Sequence, residues 1–274
     1  MKKRVIVYIL IVISAIYFSN VSLAKLTNQQ INLLLENDDI QIITPSSTAV
    51  KKSTLTIDKS TDNSQGKTIA EYDKQGLLIN YYSAFATSHT LAEKRTMIMT
   101  LMRTENNTWR RKQTMGNYQI DNSIYVLKDD HFQVTLLPSH SFDETRMMLQ
   151  KNEMLDNGKK LAAIFNYDKA LSKEKINIEY QFNQAGLLSS FDYSNIDGNE
   201  NGYTSIIQAN FEYDDQLRLI GSRENSHYQF VNEASEDTHS QVTYSNFDLH
   251  GNWLTKTEKF DGEEVSYKRT IEYW

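Results

Sequence analysis

The sequence predicts a mainly β protein, an antiparallel meander of hairpin repeats that forms a large curved sheet or an open barrel, with two short helices. A motif of aromatic residue, acid or amide, glycine and large apolar residue recurs along the chain. Segments such as 176–182 alternate apolar and polar residues, the period of a strand with one face in water. The chain has 2 prolines, which suits long ladders because proline donates no ladder hydrogen bond.

Residues 1–24 have the three-part layout of a secretory signal peptide. Cations at positions 2–4 precede an apolar run at 5–18, and Ser22 and Ala24 are the small residues that a signal peptidase reads. The apolar run is shorter than the roughly 20 residues that cross a bilayer. We therefore expect cleavage after Ala24 and a periplasmic or secreted protein, in preference to a retained membrane anchor.

The composition restricts the partners. The formal net charge of −6 becomes −9 when the three signal cations are subtracted, which argues against nonspecific binding to nucleic acid or to an anionic membrane. The chain has no cysteine, so its stability has to come from a packed core instead of disulfides. No later stretch is long and apolar enough to predict a transmembrane segment in the mature chain.

After the signal peptide, the sequence predicts an N-terminal helix and linker at 25–66 and a β-hairpin-repeat domain at 67–274. Residues 45–67 are rich in Ser, Thr, Lys and Asp, which indicates a flexible connection with one strand at 55–57.

Both helices are predicted from capping boxes. Thr27 and Gln30 have this spacing ahead of an apolar run, and Ser141 and Glu144 have it ahead of Met148. We expect both helices to pack on the sheet or to cap its edge.

The repeated motif is clearest at 70–82, which reads A-E-Y-D-K-Q-G-L-L-I-N-Y-Y, and at 178–191. More degenerate copies lie at 211–220 and 244–254, and a looser one at 155–161. In the last four copies the positions equivalent to the glycine lie 28, 31 and 34 residues apart. That spacing suits one hairpin plus its return connection.

The chemistry of each copy favours a hairpin. Aromatic and β-branched residues suit a pleated surface, Asp or Asn tolerates a turn, and Gly supplies positive φ. Further hairpin turns are predicted at Asn106-Asn107, Asp129-Asp130 and Asp261-Gly262.

The order Tyr/Phe-Asp-x-x-Gly-x-Leu/Trp resembles the YD-repeat of rearrangement-hotspot and wall-associated proteins. The resemblance covers roughly residues 70–82 and 155–260, and these copies are fewer and more degenerate than in the long arrays of that family. It implies a hairpin scaffold, because in that family the repeats are scaffold and the activity lies in appended domains. This chain shows no appended domain.

The sequence contains no G-x-S-x-G, H-E-x-x-H, P-loop or G-x-G-x-x-G motif, and we predict no catalytic residue. Ser139-His140-Ser141 is interpreted as the start of a helix, since a nucleophile and its base are usually distant in sequence. His131 is interpreted as part of a solvated hairpin tip in preference to a metal ligand.

One segment suggests a cofactor, calcium. Asp197, Asn199 and Asn201 have the D-x-N-x-N-G spacing by which a tight loop aims oxygen ligands at that ion. Position 12 of the pattern is Gln208 instead of the bidentate Glu. An ordinary turn between strands requires the same residue types and is the alternative.

The terminal Trp274 suggests an alternative setting, since outer-membrane barrels often end in an aromatic residue. Glu272, Thr270 and Lys268 share its face of the strand, however, and a lipid-facing strand needs apolar residues there. We expect the sheet to face water.

Three functions are compatible with the sequence. The first is a noncatalytic cell-envelope scaffold or binding module for an unknown protein, glycan or lipid, and the second is a carrier of a lipid or other small apolar ligand inside the curled sheet. The third, a hydrolase, requires a cleft with two acids and a raised pKa.

A set of aromatic residues either lines a glycan or peptide groove or, as we prefer, forms packing pairs: Tyr81, Tyr82, Trp109, Trp253, Tyr273 and Trp274.

Overall fold

The computed structural model describes residues 26–35, 49–60, 64–87, 95–128, 131–138, 146–155, 160–167, 174–197, 203–230 and 234–274. Within them the elements are α1 (Asn28–Leu35), β1 (Val50–Ser60), β2 (Gln65–Tyr72), β3 (Leu78–Thr87), β4 (Arg95–Glu105), β5 (Thr108–Met115), β6 (Tyr118–Lys128), β7 (His131–Leu136), β8 (Arg146–Leu155), β9 (Lys160–Tyr167), β10 (Glu174–Phe182), β11 (Leu188–Asp197), β12 (Tyr203–Tyr213), β13 (Leu219–Phe230), β14 (Glu236–Phe247), β15 (Trp253–Phe260) and β16 (Glu263–Tyr273).

The strands form one antiparallel meander that closes on itself. Each strand pairs with its neighbours in sequence, and β1 pairs with β16 from Val50↔Tyr273 to Ser60↔Val265. The prediction of a mainly β, antiparallel hairpin meander is confirmed. The sequence did not decide whether the edges meet; in the structure they do, and every described strand has two hydrogen-bonded neighbours.

The segment 45–67, predicted to be a flexible connection, instead contributes β1 and the start of β2 to the barrel. Thr54 pairs with Ile69 on one side and with Thr270 on the other. The predicted strand at 55–57 is thus only part of an 11-residue strand. Composition misled here because alternate residues of β1 face water and are Lys and Thr, whereas the inward set is Ser53, Leu55 and Ile57.

The first predicted helix is confirmed as α1. The Thr27 N–H donates to Gln30 Oε1 at 2.9 Å, and the Gln30 N–H donates to Thr27 Oγ1 at 3.3 Å, which together form a capping box.

The second predicted helix is wrong. The segment Arg146–Leu155 is strand β8, in which Met148 pairs with Val134 of β7 and with Tyr167 of β9. A capping box contributes only about 1 kcal/mol, so ladder hydrogen bonds on both sides of a strand outweigh it. Ser141 and Glu144 lie outside the described residues.

Four copies of the repeated motif form the same turn. In the first, Asp73 Oδ1 accepts the N–H groups of Gln75 and Leu77, both at 2.9 Å. Asn183, Asp214 and Asp248 make the equivalent pairs at 2.9–3.0 Å. The glycine position has positive φ in every case: Gly76 78°, Gly186 76°, Leu217 61° and Gly251 80°. The motif therefore encodes a turn closed by an acid or amide side chain, and the turn of the looser copy at 156–159 lies outside the described residues.

The hairpins predicted at Asn106-Asn107 and Asp261-Gly262 are confirmed. Asp261 (φ 46°) and Gly262 (φ 84°) both have the positive φ of a type I′ turn. Asp129-Asp130 lies outside the described residues, but Lys128 pairs with His131 across it.

All four motif turns lie at one end of the barrel, since they join β2–β3, β10–β11, β12–β13 and β14–β15; we call it the motif end. Helix α1 spans this end. Its Asn32 Nδ2 donates to Gly76 O at 2.9 Å and its Oδ1 accepts the Leu78 N–H at 2.9 Å, whereas Leu33 O accepts from Tyr180 Oη of β10 at 3.1 Å. Because β10 is eight strands from β2 in a ring of sixteen, α1 bridges opposite walls, and Leu34 is fully buried.

Candidate binding site in the barrel lumen

The barrel encloses a cavity of about 570 Å³, within the range typical of ligand pockets. Its walls are the inward faces of β1–β3 and β11–β16. Much of the lining is aromatic, including Phe85, Phe191, Tyr193, Phe211, Trp253 and Tyr267. Hydroxyl side chains, among them Thr68, Ser205 and Ser222, line other parts of it. Walls of this kind suit a ligand that has both apolar and polar parts.

The two-residue period of the strands places these side chains. On β12, Ser205, Ile207, Ala209 and Phe211 line the cavity, whereas the residues between them face outward. Within the pair Ile206-Ile207, one residue therefore faces the lumen and the other is 37% exposed on the outside.

Three charged side chains line this cavity: Glu224, Lys256 and Glu258. The Lys256 ammonium lies 3.0 Å from Glu258 Oε2 and 4.8 Å from the centre of the Tyr267 ring. Glu224 accepts a hydrogen bond from Ser226 Oγ at 3.2 Å and has no ion pair within the described residues. In the register, Glu224 pairs with Ser240 of β14 and Glu258 with Val242 of the same strand, so the two acids flank β14.

The surroundings set the protonation of these groups. Burial raises the pKa of the Glu224 carboxyl; the hydrogen bond from Ser226 and the Lys256 charge lower it, the Glu258 charge raises it, and the net shift is upward. Burial disfavours the Lys256 ammonium, but Glu258, Tyr244 and Tyr267 outweigh that effect and raise its pKa. Two acids with one raised pKa are what the hydrolase alternative required, although Glu258 is already paired with Lys256.

Replacing Glu224 with glutamine is expected to change how stability depends on pH. A carboxyl whose pKa is raised in the folded state binds more protons there than in the unfolded chain, so the wild type loses stability as pH rises from the ordinary value of 4.5 through the raised value. Glu224→Gln lacks this loss and should be the more stable protein at pH 7. Urea unfolding between pH 4 and 7.5 measures it, with Glu272→Gln on the outer face as the control. A difference between wild type and Glu224→Gln that does not vary with pH would contradict the assignment.

A fourth charged group, Arg269, lies deeper in the barrel. It is 3% exposed, its guanidinium lies 4.3 Å from the centre of the Trp253 ring, and its Nε donates to Ser53 Oγ at 2.9 Å. Its Nη1 and Nη2 have no hydrogen-bond partner within the described residues. Burial lowers the pKa of Arg269 to about 10, against the opposing effects of Tyr72 and Tyr273.

Of the three residues of the predicted calcium loop, only Asp197 lies within the described part of the chain. Asp197 ends β11, and Asn199 and Asn201 lie outside the described residues. Gln208 faces outward on β12, where its Nε2 donates to Asp192 Oδ1 at 2.8 Å. Within the described residues no cluster of three potential metal ligands occurs.

The other predicted polar candidates lie apart from the lumen or outside the description. Ser139, His140 and Ser141 lie outside the described residues, and His131 begins β7.

The aromatic residues singled out in the sequence divide into two groups. Tyr81, Trp109 and Trp253 are at most 2% exposed and Tyr273 is partly buried, which confirms that these four pack, although Trp253 also lines the cavity. Tyr82 and Trp274 are 38% and 51% exposed. Neither Tyr82 nor Trp274 lines the cavity.

Sequence reasoning missed the charged residues of the lumen. For Arg269 a signal was present, because Val265, Tyr267, Ile271 and Tyr273 occupy alternate positions of the same strand and place Arg269 on their face. Lys256 and Glu258 alternate with Thr255 and Thr257. Threonine occurs on both inward and outward faces of a sheet, so this pattern does not indicate which face is inside.

In the part of the chain that the structure describes, no helix has the length and apolar character needed to span a membrane. On the last strand, Lys268, Thr270 and Glu272 are exposed.

Comparison with known proteins gives one structural likeness. No family model matches the chain, and no curated protein matches it. A porin-like protein from Bacteroides vulgatus ATCC 8482, known from its crystal structure, is similar over 82% of this chain and 99% of its own, with 12% sequence identity and a TM-score of 0.39.

Proposed function

We propose that this protein is a noncatalytic binding protein, exported to the periplasm or the exterior, that carries a small amphipathic ligand in its barrel lumen. The observation that carries the proposal is the cavity of about 570 Å³, with aromatic walls and a few charged groups. Ligand sites usually combine a mostly apolar surface with a small number of polar groups that fix orientation.

The rest of the barrel supports a luminal ligand. Closure by β1 and β16 surrounds the cavity with hydrogen-bonded strands, and α1 occupies the motif end. Outward residues of the neighbouring strands, such as Arg223, Gln241 and Lys268, are exposed and polar, as expected for a sheet face in water. A ligand in the lumen would be surrounded by the barrel wall on its sides and by α1 at the motif end.

A neutral fluorescent probe, N-phenyl-1-naphthylamine, tests the proposal. We expect saturable binding of one probe per chain. Ser240→Phe, which puts a ring into the cavity, should weaken binding at least tenfold, whereas Thr243→Phe puts the same ring on the outer face of β14 and should bind as the wild type does. Circular dichroism checks the fold, and Ala209→Leu offers a smaller obstruction if Ser240→Phe unfolds. Equal binding by the inward and outward variants, or no saturable binding, would rule out a luminal site.

A scaffold role is the second candidate, and a depression of about 480 Å³ outside β1–β5 favours it. Ile69, Tyr82 and Met102 give this depression apolar surface. Arg110 and Lys112 add cations, and Lys52 is paired with Glu71 at 3.1 Å. A role as a scaffold built from YD-like hairpins would use this outer face, and the luminal variants would then leave its binding unchanged.

A further inference from the structure

The lumen has an imbalance of charge among its lining residues. Lys256 is paired with Glu258 at 3.0 Å, so these two charges compensate each other. Glu224 lines the same cavity with only the Ser226 hydroxyl as its partner in the described residues. When both acids are ionised, the lining carries one uncompensated negative charge.

Burial makes that charge costly and a countercharge favourable. An ionised carboxylate loses hydration when it leaves water, and a cation placed beside it recovers part of that loss. Lys256, the cation that lines the cavity in the described residues, lies against Glu258 and the face of Tyr267. The deeper Arg269 lies against Trp253 and donates to Ser53. A positive group supplied by a ligand would therefore be the partner that Glu224 lacks.

The walls suit a cation with an apolar body. Tyr193, Phe211, Tyr244 and Tyr267 all line the cavity, and faces of aromatic rings attract ammonium groups. The contact of Lys256 with Tyr267 shows this kind of interaction within the lumen itself. We infer that the ligand is a monocationic amphiphile, an amine or quaternary ammonium compound, whose positive group binds Glu224 and whose apolar part packs on the aromatic wall.

This inference rests on the proposed function. Three probes with the same eight-carbon chain distinguish a failure of the cationic-ligand inference from a failure of the luminal carrier function. Isothermal titration calorimetry at pH 7.5 would compare octylamine, octanol and octanoate, each below its aggregation concentration. We expect octylammonium to bind at least tenfold more tightly than octanol, and octanoate to bind most weakly.

Glu224→Gln provides the residue-level test, because it keeps the side-chain shape and removes the charge. It should weaken octylammonium at least tenfold and leave octanol unchanged, which shows at the same time that the lumen is intact. Glu212→Gln, on the outer face of β12, is the matched control and should bind all three probes as the wild type does.

Other outcomes would overturn the inference, and the wild-type comparison alone suffices if Glu224→Gln does not fold. Equal binding of octylammonium and octanol would reject a cationic ligand but leave a luminal carrier standing. Tightest binding of octanoate would indicate an anion held by Lys256 or Arg269. Absence of binding by all three probes, together with no effect of Ser240→Phe on N-phenyl-1-naphthylamine, would reject the proposed function itself.

Discussion

Replacing Trp109 with alanine is expected to lower the free energy of unfolding by about 3–5 kcal/mol. Trp109 is fully buried and meets Phe132 edge to face, with 5.9 Å between the ring centres. Its indole Nε1–H donates to Leu78 O across two strands at 2.9 Å. The substitution would leave a cavity between β3 and β7 and also a buried carbonyl that loses its side-chain donor.

Trp274→Ala is the matched control, because the last residue is 51% exposed. The free energy of unfolding of Trp274→Ala should fall by about 1 kcal/mol or less, since surface substitutions change stability little. Urea unfolding followed by far-ultraviolet circular dichroism measures both variants. Similar losses for the two tryptophans would mean that Trp109 does not occupy the packed position described here.

Replacing Arg269 with methionine is expected to raise the free energy of unfolding by about 1–4 kcal/mol. The guanidinium is buried, and two of its nitrogens have no partner within the described residues. Methionine has a similar length, packs against Trp253 and carries no charge to desolvate. The hydrogen bond from Arg269 Nε to Ser53 is lost, but it contributes less than the desolvation that is relieved.

Arg103→Met is the control for this substitution. Arg103 Nη1 lies 2.9 Å from Asp73 Oδ2, and its Nε donates to Asn106 O at 2.9 Å, so its charge is compensated and part-exposed. The Arg103 variant should lose stability in the same urea titration in which the Arg269 variant gains it. A loss for Arg269→Met would show that an anion or water compensates this guanidinium in solution, and the loss should then vary with the anion in the buffer.

The turns of this fold were predictable because their determinants are local. In the first copy Asp73, Gln75 and Leu77 contain both the acceptor and the donors of the turn. Asp261 and Gly262 likewise adopt the positive φ of their own turn. The helix α1 was predictable for the same reason, from its capping pair. At residues 141–149 the local pattern was misleading, because pairing with β7 and β9 is decided by distant residues.

The lumen was not predictable, because it depends on register across many strands. Glu224 and Glu258 approach each other only when β13, β14 and β15 pair in the observed register. A slip of one residue would turn each of these side chains to the outer face. The polar composition of β1 also concealed that it completes the wall of the cavity.

Closure of the ring has a consequence for the order of folding. Among the described strands, β1 and β16, which meet at the seam, are the most distant in sequence, so their contact has the longest loop to close. During synthesis one edge of β1 stays open, able to pair with another chain, until the 11 residues of β16 have been made. Any ligand that needs the complete lumen can therefore be bound only after the last strand is in place.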